Sequence, residues 1–148
     1  MNDFPHDISL CSRFEEIEHT DHSFNNFHID YHFGNWIGQD MEAFSRIVDV
    51  ICPMVYPSHF GSRFYSREPH ETRPFFIVHD GGVRAMKLTK HSAIIRPYLQ
   101  AFNMLSPTWG PGYIKKQLSG AEESGCCGFT FWNAMGNYSM VLLAEKIK

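Results

Sequence analysis

Residues 48–61, VDVICPMVYPSHFG, constrain the fold more than any other stretch of the chain. A short run of β-branched and apolar side chains, Val48, Val50, Ile51 and Val55, ends abruptly at Pro57. A run that short and that apolar predicts a strand buried on both faces, as in parallel sheets covered by helices. Tyr56, Ser58 and His59 crowd the turn just past its C-terminal end. In barrels of alternating strands and helices, that rim is where chemistry is placed. One stretch thus raises both a fold expectation and a site expectation.

At 148 residues the chain can bury one core, so one domain at most is expected. A net charge of -3 offers no basic field for nucleic acid. No apolar run approaches the ~18 residues of a bilayer span, so no membrane partner is expected. The opening MNDFPHDISL lacks the basic region and apolar core of a secretory signal, which leaves the cytoplasm as the default compartment. Cys11, Cys52, Cys126 and Cys127 have no zinc-ligand spacing, so reduced thiols are expected, with Cys52 a small buried hydrophobe. His19, His22, His28 and His32 cluster in sequence, but no HExxH-like motif frames them. Neither a metal nor a cofactor is expected. Several of the aromatics, 15% of the chain, fall at predicted strand ends, where ring or sugar stacking would use them.

Residues 1–26 are the least readable, and they stand as an unassigned N-terminal segment. A short helix is expected over 14–18, capped by Ser12, and a turn at Asn25 and Asn26. Residues 27–33, FHIDYHF, alternate as a strand does, and Gly34 stops it. Asp30 lies towards the C-terminal end of that strand, either bonded to turn amides or functional. Asp40 is placed to cap a helix whose inner face carries Met41, Phe44, Ile47 and Val48. The polar and aromatic loop over 58–73 is long enough to suggest function or mobility. A helix over 75–90 would turn Phe76, Val83, Met86 and Leu88 inward, although Gly81 and Gly82 weaken it. Residues 93–102 form the next strand, with Pro97 marking a bulge or its end and Arg96 and Gln100 at the rim. A helix over 113–124 carries Ile114, Gln117, Leu118 and Ala121 on one side, and Gly125 caps it. A strand over 128–133 and a helix over 139–148 finish the chain. Strands alternating with helices predict a parallel α/β domain over 27–148.

VDVICPMVYPSHFG, IIRPYLQAF and GFTFWNAMGNYS, in that order with helices between, resemble a family of proteins grouped as glycosyl hydrolases. Most of its members lack a characterised substrate, and GQD at 38–40 is a fourth shared motif. The resemblance runs from about residue 27 to 138 and implies a (β/α)8 barrel acting on carbohydrate. A full barrel takes about 250 residues and eight strands. Four strands are readable, so this chain resembles the C-terminal half, a partial TIM barrel of about four βα units. Such a half has open edges and an uncovered inner face, which invites self-association or a partner half. Members of the family are expected to carry Trp where Tyr98 stands and often an acid where Ala101 stands.

Glycoside hydrolysis usually needs two carboxyl groups about the scissile bond. Asp30 is the one carboxylate expected near a strand mouth, with Glu68 and Glu71 in the rim loop; Asp49 precedes its strand. Asp30 and His59 are the candidate catalytic residues, with His59 either a proton donor or hydroxyl contact or a loop histidine bonded to backbone. Tyr56, Arg96, Gln100, Trp132 and Asn133 are the candidate substrate-binding residues. Trp132 would stack on a sugar face or pack in the core, while Asn133 and Gln100 would bond hydroxyls. Arg96 would anchor a carboxylate or pair with Asp30. A hydrolase completed by further strands, a non-catalytic carbohydrate-binding half-barrel and an inactive remnant all remain open on these residues.

Overall fold

The computed structural model describes residues 9–13, 40–60, 65 and 68–146. Its strand segments are β1 (Ser9–Arg13), β2 (Val50–Met54), β3 (Ile94–Ile95), β4 (Tyr98–Gln100) and β5 (Thr130–Trp132). Its helices are α1 (Met41–Phe44), α2 (Arg73–Thr89), α3 (Pro111–Glu123) and α4 (Ser139–Lys146), and a 3-10 turn, Pro57–His59, follows β2. Across the sheet the order is β1-β2-β4-β5, with β3 also beside β2, and every pairing is parallel. This is an α/β fold with the layout of a partial (β/α) barrel. The helix expected over 14–18, the turn at Asn25 and Asn26 and the strand expected over 27–33 lie outside the described residues. The segment over 1–26, which the sequence left without a role, supplies β1, with Ser9 opposite Val50 and Arg13 opposite Met54.

The strand expected over 93–102 is interrupted at Arg96 and Pro97, yet it contains no bulge. Ile94 stands opposite Val50, and Tyr98 opposite Met54, an offset of 44 residues on both sides of the proline. An extra residue would have changed that offset. Pro97 therefore costs one ladder donor without shifting register, and its carbonyl still accepts from Thr130 N–H at 2.9 Å.

Two helical faces differ from the sequence expectation. Asp40 caps α1 as predicted, its Oδ1 accepting from Ala43 N–H at 2.9 Å. The helix stops at Phe44, however, and Ile47 is exposed, while Met41, Phe44 and Val48 pack on Ile51, Ala85 and Ile95. In α2 the buried residues are Pro74, Ile77, Val78, Gly82, Ala85 and Thr89, not the larger Phe76, Val83, Met86 and Leu88. Close approach explains the choice. A Cβ on Gly81 would lie 2.9 Å from Val55 Cγ1, and one on Gly82 would lie 2.6 Å from Ser124 Oγ. Small residues let α2 sit low on β2 and against the end of α3, which offsets their helix cost of roughly 1 kcal/mol each.

The core lies between sheet and helices. Val55 and Leu99 meet Ile77, Val78 and Ala121; Ala101 meets Ile114, Val141 and Ala144. The helix α3 buries Ile114, Gln117 and Ala121 as its spacing predicts, and Gly125 follows it at a φ of +83°. Cys52 is 7% exposed, a small buried side chain within β2.

Candidate functional site at the C-terminal strand ends

Parallel strands bring their C-terminal ends to one rim. Tyr98 stands opposite Met54 on one side and Thr130 on the other, and Gln100 stands opposite Trp132. Two residues beyond Met54 comes Tyr56, so Tyr56, Gln100 and Trp132 continue that row at the end of the sheet. Period-2 alternation puts them on the face opposite Val55, Leu99 and Ala101, which pack on the helices.

Within that row the three side chains have different situations. Tyr56 is 4% exposed, its ring edge-on to His59 at 5.2 Å and to Phe102 at 5.4 Å. Trp132 is 47% exposed, so within this chain its ring is open on one side. Gln100 has no exposed surface at all. Its Oε1 accepts from Ser58 N–H at 3.0 Å and from Tyr113 O–H at 3.1 Å. Its Nε2 donates to Phe102 O at 2.8 Å and to Ser106 Oγ at 3.1 Å. A primary amide offers two acceptor sites and two donors, so all four are taken and none is left for a sugar hydroxyl.

The backbone of Gln100 is held just as fully. Gln117 of α3 accepts from its N–H at 2.8 Å and donates to its carbonyl at 3.0 Å. The strand β2 has by then left the sheet, its last ladder contact being Val55 N–H to Tyr98 O. One side-chain amide thus does for Gln100 what a neighbouring peptide would otherwise do. Burial pushes the Tyr113 phenol up to about 12, against smaller downward pulls from the Ser106 bond and the Arg73 charge. The phenol therefore stays neutral and keeps its proton on Gln100.

The other sequence candidates fall in different places. His59 closes the 3-10 turn and is half-buried, at the rim as expected. Asn133, one residue past β5, is engaged in shaping its own turn. Its Nδ2 donates to Ala101 O at 2.5 Å, and its Oδ1 accepts from Met135 N–H at 2.8 Å and from Asn137 N–H. Arg96 does not reach the rim. It lies four residues before Gln100, about 13 Å down an extended strand. Its Nε points to Phe129 O at 3.4 Å, at the entry to β5. The expectation failed because β4 carries on in the same register beyond Pro97, so the strand end lies at Gln100 and not at Arg96. Asp30 lies outside the described residues. Glu68 and Glu71 sit between Tyr65 and α2, where Glu68 N–H bonds Tyr65 O at 3.0 Å.

Ser106, Tyr113 and Gln117, which hold the rim, were not singled out as site residues from sequence. Only Gln117 carried a signal, a polar side chain on an otherwise apolar helical face. Among the described residues no group of three or more His, Cys, Asp or Glu is arranged to hold a metal ion. No described helix is long and apolar enough to cross a membrane.

Residues 23–138 match the family described as "Putative glycosyl hydrolase domain". The chain belongs to that family, whose span takes in every element from α1 to β5. Neither the curated proteins nor the solved structures include a match.

Proposed function

We propose that the rim at the ends of β2, β4 and β5 is a carbohydrate site of the glycoside hydrolase kind. One observation carries the reading: Trp132, 47% exposed, stands at the end of β5 opposite Gln100, whose side chain binds the turn that bears His59. An exposed indole at a parallel-strand mouth is a stacking platform for a sugar face, and family membership supports that use. In this reading Trp132 stacks and His59 contacts a hydroxyl or moves a proton. Asp30 supplies one carboxyl, and Gln100 and Asn133 hold the rim in shape.

The domain is read as part of a larger barrel. A closed barrel takes about eight strands. On the face away from the helices, Ile94 and Trp132 are each 47% exposed, which supports further strands from another segment or a second chain. A second reading, binding without hydrolysis, is favoured by one fact. Among the described residues, no carboxylate stands in or directly beyond the last row of β2, β4 and β5.

Replacing Asp30 with Asn separates the two. The hydrolase reading expects release of reducing sugar from a susceptible polysaccharide to fall at least a thousandfold in that variant, with binding retained. Equal cleavage by both proteins removes Asp30 from the chemistry, and binding with no cleavage by either favours the second reading.

A further inference from the structure

The turn after β2 holds a polar atom that the rim described above does not use. Ser58 is 8% exposed, and its Oγ is buried with no hydrogen-bond partner among the described residues. Its surroundings explain why none is available. Its own N–H is bound to Gln100 Oε1, and that amide has no remaining capacity. The neighbouring Ser106 Oγ is itself occupied by Gln100, Met104 O and Tyr113. A buried hydroxyl left unpaired is costly, and natural structures rarely keep one without a use. The residue is also well positioned. It lies two places beyond Tyr56 and next to His59 in sequence, on a turn pinned to β4 through its backbone.

We propose that Ser58 Oγ is a hydrogen-bonding contact for a hydroxyl of the bound saccharide; this rests on the carbohydrate reading of the rim. The backbone bond to Gln100 fixes where the side chain starts. Because no bond holds Oγ, it can change rotamer towards a ligand without breaking one. The ligand then supplies the partner that the described residues do not, so the contact favours the bound state selectively.

The test measures stability and affinity together for wild type, Ser58→Ala and Ser58→Thr. The probes are hexasaccharides of β-1,4-glucose, α-1,4-glucose, β-1,4-xylose and β-1,4-N-acetylglucosamine, titrated by calorimetry. The alanine variant is expected to melt at or above the wild-type temperature, because it removes an unpaired buried hydroxyl. It is also expected to bind the preferred hexasaccharide about threefold to tenfold more weakly, the range of one net hydrogen bond. Threonine, which keeps the hydroxyl, is expected to bind more tightly than alanine. A lower melting temperature in Ser58→Ala overturns the proposal whatever the affinity does, since the hydroxyl would then have a partner, such as a buried water, in the free protein. Unchanged affinity in Ser58→Ala overturns the contact and leaves the carbohydrate reading standing. Wild-type protein that binds none of the four overturns both.

Discussion

Gln100 shows how one side chain can be read correctly for place and wrongly for role. Its position at a strand end made it a candidate for sugar hydroxyls. The same position makes it the junction of β4, the Pro57–His59 turn and α3, with four side-chain bonds. Sequence gives no access to that difference, because saturation depends on Ser58, Ser106 and Tyr113 arriving from separate elements. Replacing Gln100 with Leu keeps much of the volume but strands those partners. Stability in urea should fall by on the order of 3–5 kcal/mol, more than a surface substitution can cost. The bonded Tyr113 phenol adds a pH signature. Its folded pKa, about 12, lies above the ordinary 10.0, so the unfolded chain loses this proton first. Its contribution is present below about pH 10 and lost as pH rises towards 12, by at most about 3 kcal/mol. Tyr65, which donates to Asp80, is raised by burial first and by that bond next, and it acts in the same direction. Denaturation at stepped alkaline pH should show a smaller loss in Tyr113→Phe than in wild type, from a starting stability lower by about 1 kcal/mol.

At the scale of elements, periodicity was a good guide to what forms and a poorer guide to which face turns inward. The buried run in β2, the Asp40 cap, the Gly125 stop and the inner face of α3 follow from local chemistry alone. The inner face of α2 did not, because size suggested Phe76 and Met86 while the packing distance required Gly81, Gly82 and Ala85. Gly120 of α3 meets the same requirement from the other side, and a Cβ there would lie 2.5 Å from Phe75 O. A backbone atom within a helix cannot move aside as a flexible side chain does. Gly120→Ala should therefore destabilise by about 1–3 kcal/mol despite better helix propensity. Gly112, in the first turn of the same helix, would meet nothing within 4 Å. Gly112→Ala should stabilise by up to about 1 kcal/mol. Thermal melts of the two variants would test this, and shifts of the same sign would contradict the close crossing of α2 and α3.

For the whole molecule, the parallel sheet follows from alternating strand and helix segments, and it gives the strand ends a common rim. What could not be read was which rim residues stay open to solvent. Tyr56 and Gln100 are buried, Arg96 lies at the other end of its strand, and Trp132 is left open. The central claim is that this open indole meets the sugar. Trp36→Phe and Trp109→Phe together leave Trp132 as the sole tryptophan, so its fluorescence can be followed as the binding hexasaccharide is added. The expected result is a saturable change in emission with the dissociation constant found by calorimetry, as stacking shields the ring from water. Binding detected by calorimetry with no change in Trp132 emission would place the sugar elsewhere and contradict the claim.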